Sequence, residues 1–192
     1  MTATRQRLIL LTAMALCLEA AVRAADAPAP AQYVLDPAKS SLEFSFTQAG
    51  AANKGRFTRF PVSLTFSPEA PTSGRLAVTI EVGSLDTGDK ERDDTLKTAD
   101  LFSVAKFPQS HFTSSQITKT ASGYDAVGKL TIRGVTKDVH VPFTFSPANG
   151  SLLGKVTLKR LDYGVGQGDW KATDQVGNDV TVTYALHLVA GH

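Results

Sequence analysis

The chain has 192 residues, with 20 Lys/Arg, 18 Asp/Glu and a single cysteine, a length that suits one domain with a substantial core. Its net charge of +2 comes from Arg5, Arg7, Arg23 and Glu19 at the amino end. From Ala25 onward acids and bases balance, which excludes a standing electrostatic attraction to nucleic acid or to an anionic membrane.

Residues 1–24, MTATRQRLILLTAMALCLEAAVRA, place two arginines ahead of an apolar stretch, Leu8–Leu18, and then small residues. That layout predicts a secretory signal peptide cleaved after Ala24. The apolar stretch is shorter than the roughly 20 residues that span a bilayer. Cys17 lies inside it, and Leu16 before it fits a lipid-modification site poorly. An exported chain without cysteine forms no disulfide even where disulfides are permitted, so its stability rests on its core. Residues 25–31 are Ala/Pro-rich and read as a flexible leader, with the folded domain over 32–190.

Period-two alternation dominates the chain beyond the leader. Leu42, Phe44 and Phe46 share one face, as do Val62, Leu64 and Phe66, and then Leu76, Val78, Ile80 and Val82. A strand near 110–117 has blurred alternation. Beyond it, Tyr124, Ala126, Gly128, Leu130 and Ile132 align, followed by Val139, Val141, Phe143 and Phe145. Val156 and Leu158 make a weaker strand, and Val180, Val182, Tyr184, Leu186 and Leu188 the clearest one. Eight strands joined by Gly/Pro/Ser/Asp turns predict an antiparallel barrel or sandwich. Pro142 cannot donate to a ladder and marks an irregular or edge-like position.

Between two of these strands runs DKERDDTLKTADLFSVAKFP (residues 89–108). Asp89 is placed to cap a helix whose first turns hold Glu91, Asp93 and Asp94, with Lys97 later, as the helix dipole prefers. Leu96 and Ala99 would share a face that Phe102 continues, and Pro108 stops further extension. Such a helix either plugs one end of the sheet or covers a ligand mouth.

Catalytic signatures are missing. His111, His140, His187 and His192 lack metal-ligand spacing, and no nucleophile elbow, Walker loop or HExxH occurs. YGVGQGDW (163–170) has no lysine of a phosphate loop, so its glycines shape a tight turn or let backbone pass something bulky. Arg160 and Asp162 precede it and would share a face in an extended segment, as an ion pair or as an anchor for a ligand head group. Nothing in these residues compels an enzyme.

Six pieces in order, YVLDPAKSSLEFSF (33–46), GRF (55–57), SLDTGDKERDDTL (84–96), LFSVAKFPQSHFTSS (101–115), GKLTIRGVTKDV (128–139) and KRLDYGV (159–165), resemble the YceI-like family of polyisoprenoid-binding proteins. The resemblance implies a periplasmic, all-β fold: an eight-stranded antiparallel lipocalin-like barrel with a short helix between strands. It further implies a long isoprenoid lipid or the tail of an isoprenoid quinone in the apolar interior, no covalent cofactor, and a homodimer. Ser84, Asp86, Arg92, Asp93 and Leu96, the pair Phe102 and Phe107, the hairpin Leu130 to Val135, and Arg160, Asp162 and Gly164 match the family's motifs, with Tyr163 where Phe is common.

Lys39-Ser40 departs from the family's usual His-Ser, and FTQAGAANKG (46–55) from a segment that commonly contains histidine. QAG together with GVGQGDW is similar to a subgroup with redox-linked membrane partners, which implies an inner-membrane redox protein as partner. Phe44, Phe46, Phe57, Phe143 and Tyr184 are expected to line the interior. Arg92, Arg160 and Asp162 are expected at its head-group end. The competing readings are an envelope interaction or stress-response protein with a self-filled barrel, and an enzyme acting on a lipid or quinone through Arg160, Asp162 or Tyr163.

Overall fold

The computed structural model describes residues 29–191. Strands β1 (Ala31–Leu35), β2 (Ser41–Gln48), β3 (Ala51–Phe57), β4 (Val62–Phe66), β5 (Arg75–Glu81) and β6 (Leu85–Asp86) precede helix α1 (Lys90–Lys97). After it come β7 (Gln109–Thr120), β8 (Gly123–Ile132), β9 (Val135–Ser146), β10 (Ser151–Lys159) and β11 (Asp179–Ala190). All belong to one antiparallel sheet.

Three pairs of segments are halves of bent strands: β1 with β2, β3 with β4, and β5 with β6. Counted so, there are eight long strands, each paired with the next in sequence. The last closes on the first, because β11 pairs with β2 over 181–185 and with β1 over 188–190. This is a closed up-and-down barrel, one of the two architectures that the alternation allows and the one that the resemblance implies. Closure is also what decides which face of each strand turns inward.

The bend between β1 and β2 is built locally. Asp36 accepts from the Ala38 amide at 3.1 Å across a 3-10 turn that starts at Pro37. The Ser40 hydroxyl donates to the Asp36 carbonyl at 2.7 Å and accepts from the His187 amide at 2.9 Å, so β11 stays joined to both halves across the break. The blurred strand also has a cause. In β7 the register shifts between Ser114 and Gln116, a bulge that moves the inward position from Ser114 to Ile117 and breaks the period of two.

The hairpin between β8 and β9 turns on Arg133 (φ 51°) and Gly134 (φ 75°), the pair of positive dihedrals that a two-residue hairpin turn requires. β9 and β10 pair only from Ser151↔Ser146 to Gly154↔Phe143. Pro142 is the next residue on β9, and beyond it the two strands share no ladder. The proline thus stands at an edge-like position, as its missing N–H predicts.

One end of the barrel is filled. Phe66 packs edge-on against Tyr124, Phe143 and Phe145 at centroid distances of 4.8, 6.0 and 5.6 Å, and Tyr33 packs against Phe145 at 5.1 Å. Such geometry satisfies the ring quadrupoles while it excludes water. Leu64 and Ile117 are essentially inaccessible there.

Candidate functional site: an apolar cavity closed by helix α1 and the 160–177 segment

The other end of the barrel is hollow. A cavity of about 430 Å³ is walled by inward positions of nearly every long strand, among them Phe44, Val78, Ile80, Leu130, Val156 and Val182. Leu42 and Phe112 also line it and are buried. Phe44 stacks with Phe46 at 6.1 Å and leans on Phe57 at 5.2 Å, and Phe57 meets Phe102 edge-on at 6.5 Å. This aromatic row forms one wall. Phe102 belongs to the motif that the sequence places ahead of proline.

Helix α1 supplies the rim. The Asp89 side chain caps it by accepting from the Arg92 amide at 3.1 Å. Asp93 ties it to the residue after β6 by accepting from the Thr87 amide and hydroxyl at 2.9 and 2.7 Å. The helix has no buried residue, yet Arg92, Thr95 and Leu96 reach the cavity wall, as do Asp89 and Glu91. Arg92 lies 3.7 Å from Asp89. The helix ends at Lys97, with Thr98 as its cap. Ala99 therefore falls outside the helical face expected for it, and Phe102 reaches the wall from the following turn.

Arg160 forms the polar corner. It is 6% exposed and also part of the cavity wall. Its Nε donates to the Gly177 carbonyl at 3.0 Å, Nη1 to Val165 at 2.9 Å and Nη2 to Val176 at 2.7 Å. Burial draws its pKa below the ordinary guanidinium value, though an arginine stays protonated in proteins. Gly166, at φ +113°, leaves room for the guanidinium against the backbone, where any Cβ would collide with Nη1. Gly166 thus lets backbone pass a bulky group, while Gly164, at φ +68°, caps the 3-10 turn before it. Burial, and less so the charge of Asp162, raises the pKa of the Tyr163 phenol, which also lines the cavity.

Of the residues expected at the site, Phe44, Phe46, Phe57, Tyr184, Arg92 and Arg160 surround the cavity. Phe143 lies at the filled end, 3% exposed, outside the cavity wall. Asp162 is exposed. The expectation that Arg160 and Asp162 share a face needs correction: residues Arg160–Tyr163 form a 3-10 turn, which sends the arginine inward and the aspartate outward. Among the described residues no ion pair joins them. Trp170 and Val176 also line the cavity. No periodicity singles them out, because they sit in an irregular segment whose path is set by the carbonyls that Arg160 gathers.

Elsewhere the family-matching motifs have structural duties. Ser84 Oγ accepts from the Arg59 amide at 3.0 Å, and Asp86 accepts from Arg56 Nε and Nη2 at 3.0 and 2.8 Å. Among the described residues, no group of three His, Cys, Asp or Glu side chains is placed to hold a metal ion.

The closed meander with an apolar hollow end defines a lipocalin-like binding barrel. Residues 33–188 match the YceI-like domain, and the chain belongs to that family. A Yersinia enterocolitica relative, UPF0312 protein YE1254, is 36% identical over 131 residues, which covers 67% of this chain and 68% of the relative. The crystal structure of Burkholderia cenocepacia BcnA superposes with a TM-score of 0.76 at 33% identity, over 81% of this chain and 99% of BcnA. A polyisoprenoid binding domain from Saccharophagus degradans, implicated in plant cell wall breakdown, shares the fold at a TM-score of 0.58 and 19% identity, over 84% of this chain and 99% of that domain.

Proposed function

We propose that this chain is an exported, non-catalytic carrier that sequesters one isoprenoid lipid or isoprenoid quinone in the barrel. The observation that carries the reading is the contrast within one barrel between an aromatic end packed solid and an apolar hollow of about 430 Å³. Ligand sites commonly fall between about 300 and 1,000 Å³. A cavity of about 150 Å³ holds one benzene-sized molecule, so this one suits on the order of 15–20 carbon atoms of chain. A longer isoprenoid would extend past the rim at α1. Each CH2-sized group moved out of water contributes roughly 0.8 kcal/mol, ample to offset the ordering of a flexible tail.

The Saccharophagus degradans structure is of a polyisoprenoid binding domain, and its likeness at 19% identity speaks for the fold, so the ligand class rests on the cavity and on the sequence resemblance. The signal peptide expected over residues 1–24 and most of the expected leader lie outside the described residues. Periplasmic export, a homodimer and an inner-membrane redox partner belong to this same proposal and rest on the sequence resemblance.

The test is native mass spectrometry of the protein exported to a bacterial periplasm, before and after solvent extraction, with a delipidated and refolded control. One discrete added mass matching a polyprenyl lipid or quinone is the expected result. Protein that stays ligand-free after incubation with those lipids in detergent overturns the carrier reading.

A further inference from the structure

The cavity wall carries four hydroxyl groups, on Thr95, Ser110, Tyr163 and Tyr184. The protein itself uses two of them. Thr95 Oγ1 donates to the Glu91 carbonyl at 2.8 Å within α1, and Tyr184 donates to the Pro142 carbonyl. Ser110 and Tyr163 are 4% and 3% exposed, yet among the described residues neither hydroxyl has a hydrogen-bond partner. Neither oxygen is sealed in packed surroundings as Asp125 Oδ1 and Arg133 Nε are, so each faces accessible space.

Ser110 is the first inward residue of β7, with Phe112 the next and Ile80 opposite on β5, both in the cavity wall. Tyr163 closes the 3-10 turn after β10, and Gly164 beside it stands against Arg133 of the β8–β9 hairpin. β8 of that hairpin also holds the start of β7, since His111 pairs with Thr131. Both hydroxyls therefore lie at the hollow end. A buried hydroxyl without a partner costs free energy and calls for an explanation. Burial also raises the pKa of Tyr163, so the phenol stays a protonated donor at neutral pH.

We propose that Ser110 and Tyr163 seat a neutral carbonyl oxygen of the ligand inside the cavity, so that the protein prefers a quinone or another prenyl ketone to a hydrocarbon of like length. This deepens the carrier reading and rests on it. A hydrocarbon entering the hollow seals both hydroxyls away from water with nothing to bond. A carbonyl brings two lone pairs and no proton of its own, so it accepts from the hydroxyls and strands no donor against the apolar wall. Neither hydroxyl has to break a bond within the protein before it donates, which lowers the cost of binding. The Tyr163 hydroxyl stands where the family motif commonly has Phe, so the preference belongs to this chain and not to the fold.

The experiment is infrared spectroscopy of farnesylacetone, isotope-labelled at its carbonyl carbon, bound to the exported and delipidated protein. Wild type, Tyr163→Phe, Ser110→Ala and the double variant are compared, with farnesene as the hydrocarbon in parallel titrations. The expected carbonyl stretch in wild type lies below its position in hexane, rises in each single variant and reaches the hexane value in the double one. Farnesylacetone binding weakens about three- to tenfold for each hydroxyl removed, whereas farnesene binding strengthens, since no hydroxyl is then stranded. The ligand-free variants melt no lower than wild type, because the protein loses no bond of its own.

A hexane-like stretch in wild type, or farnesene bound as tightly as farnesylacetone, overturns the carbonyl assignment and leaves the carrier reading standing. A lowered stretch that neither variant moves also overturns it, since the bond then comes from another donor or a trapped water. A ligand-free variant that melts below wild type shows that the protein itself uses that hydroxyl, and strikes that residue from the assignment. Failure of both ligands to bind overturns the carrier reading as well.

Discussion

The Tyr184 hydroxyl donates to the Pro142 carbonyl at the point where the ladder between β9 and β10 ends. Tyr184 stands on β11 directly opposite Gly154 on β10, so its ring crosses the glycine to reach the neighbouring strand. The phenol thereby satisfies a carbonyl beside the separation of the two strands, and the same ring walls the cavity.

Tyr184→Phe leaves that carbonyl without its donor, and the expected loss is about 1–3 kcal/mol of unfolding free energy. Burial, and secondarily the charge of Asp125, raises the pKa of this phenol well above its ordinary value of 10.0. In the unfolded chain it titrates near 10. A raised native pKa means that its contribution is complete below the unfolded value and drains away as pH climbs through the native one. Tyr163 acts with the same sign. Urea midpoints measured at neutral pH and above about pH 10 should therefore fall steeply for wild type and less steeply for Tyr184→Phe. Parallel slopes would refute the assignment.

Gly154→Ala is expected to cost about 2–3 kcal/mol, at the upper end of overpacking effects. A Cβ there runs into both the Pro142 carbonyl and the Tyr184 ring, one of them backbone. Gly83→Ala is the control, since its nearest neighbour would be Val104 Cγ1 at an ordinary 3.5 Å. Thermal melts of the two variants should differ clearly. Similar midpoints would show that the β9–β10 junction relaxes freely.

Strand alternation made the eight long strands legible because one face of each is buried. The same signal is weak in β3, AANKGRF, whose inward side at Gly55 is covered by the Phe44 ring from the paired strand. Alternation also cannot separate a hollow end from a filled one. Phe44 and Phe143 occupy equivalent inward positions, and only the volume gathered around each makes one a cavity wall and the other core. The helix was readable from Asp89 and its acidic first turn, since capping is local chemistry. The inward turn of Arg160 was not, because it depends on carbonyls up to 17 residues away in the chain.

Asp93→Ala should loosen the rim. Its carboxylate accepts from two groups of Thr87, and no buried side chain otherwise anchors α1. The part-buried Thr87 amide would lose its partner. Hydrogen exchange across 90–97 should accelerate, and a bound lipid should dissociate faster. Asp94, whose carboxylate meets exposed Lys90, supplies the comparison: Asp94→Ala should leave both rates as they are, since exposed pairs contribute little. Equal acceleration in the two variants would mean that Asp93 has no special hold on the helix.

Filling the hollow should separate binding from stability. Val182 faces the cavity from β11, between Phe44 on β2 and Val156 on β10. In Val182→Trp the added ring would project into the hollow from the cavity wall, so the variant should fold with unchanged or higher stability. On the carrier reading, it should be recovered from periplasmic export without the extractable lipid expected of the wild type. Phe143→Ala probes the other end, where the ring packs on Phe66 at 6.0 Å and on Tyr124 at 5.4 Å. Removing it should cost about 3–5 kcal/mol, while the folded fraction keeps its lipid. Denaturant melts paired with native mass spectra read both quantities on the same samples. If Val182→Trp retains a full complement of lipid, the ligand does not occupy this cavity and the carrier reading loses its site.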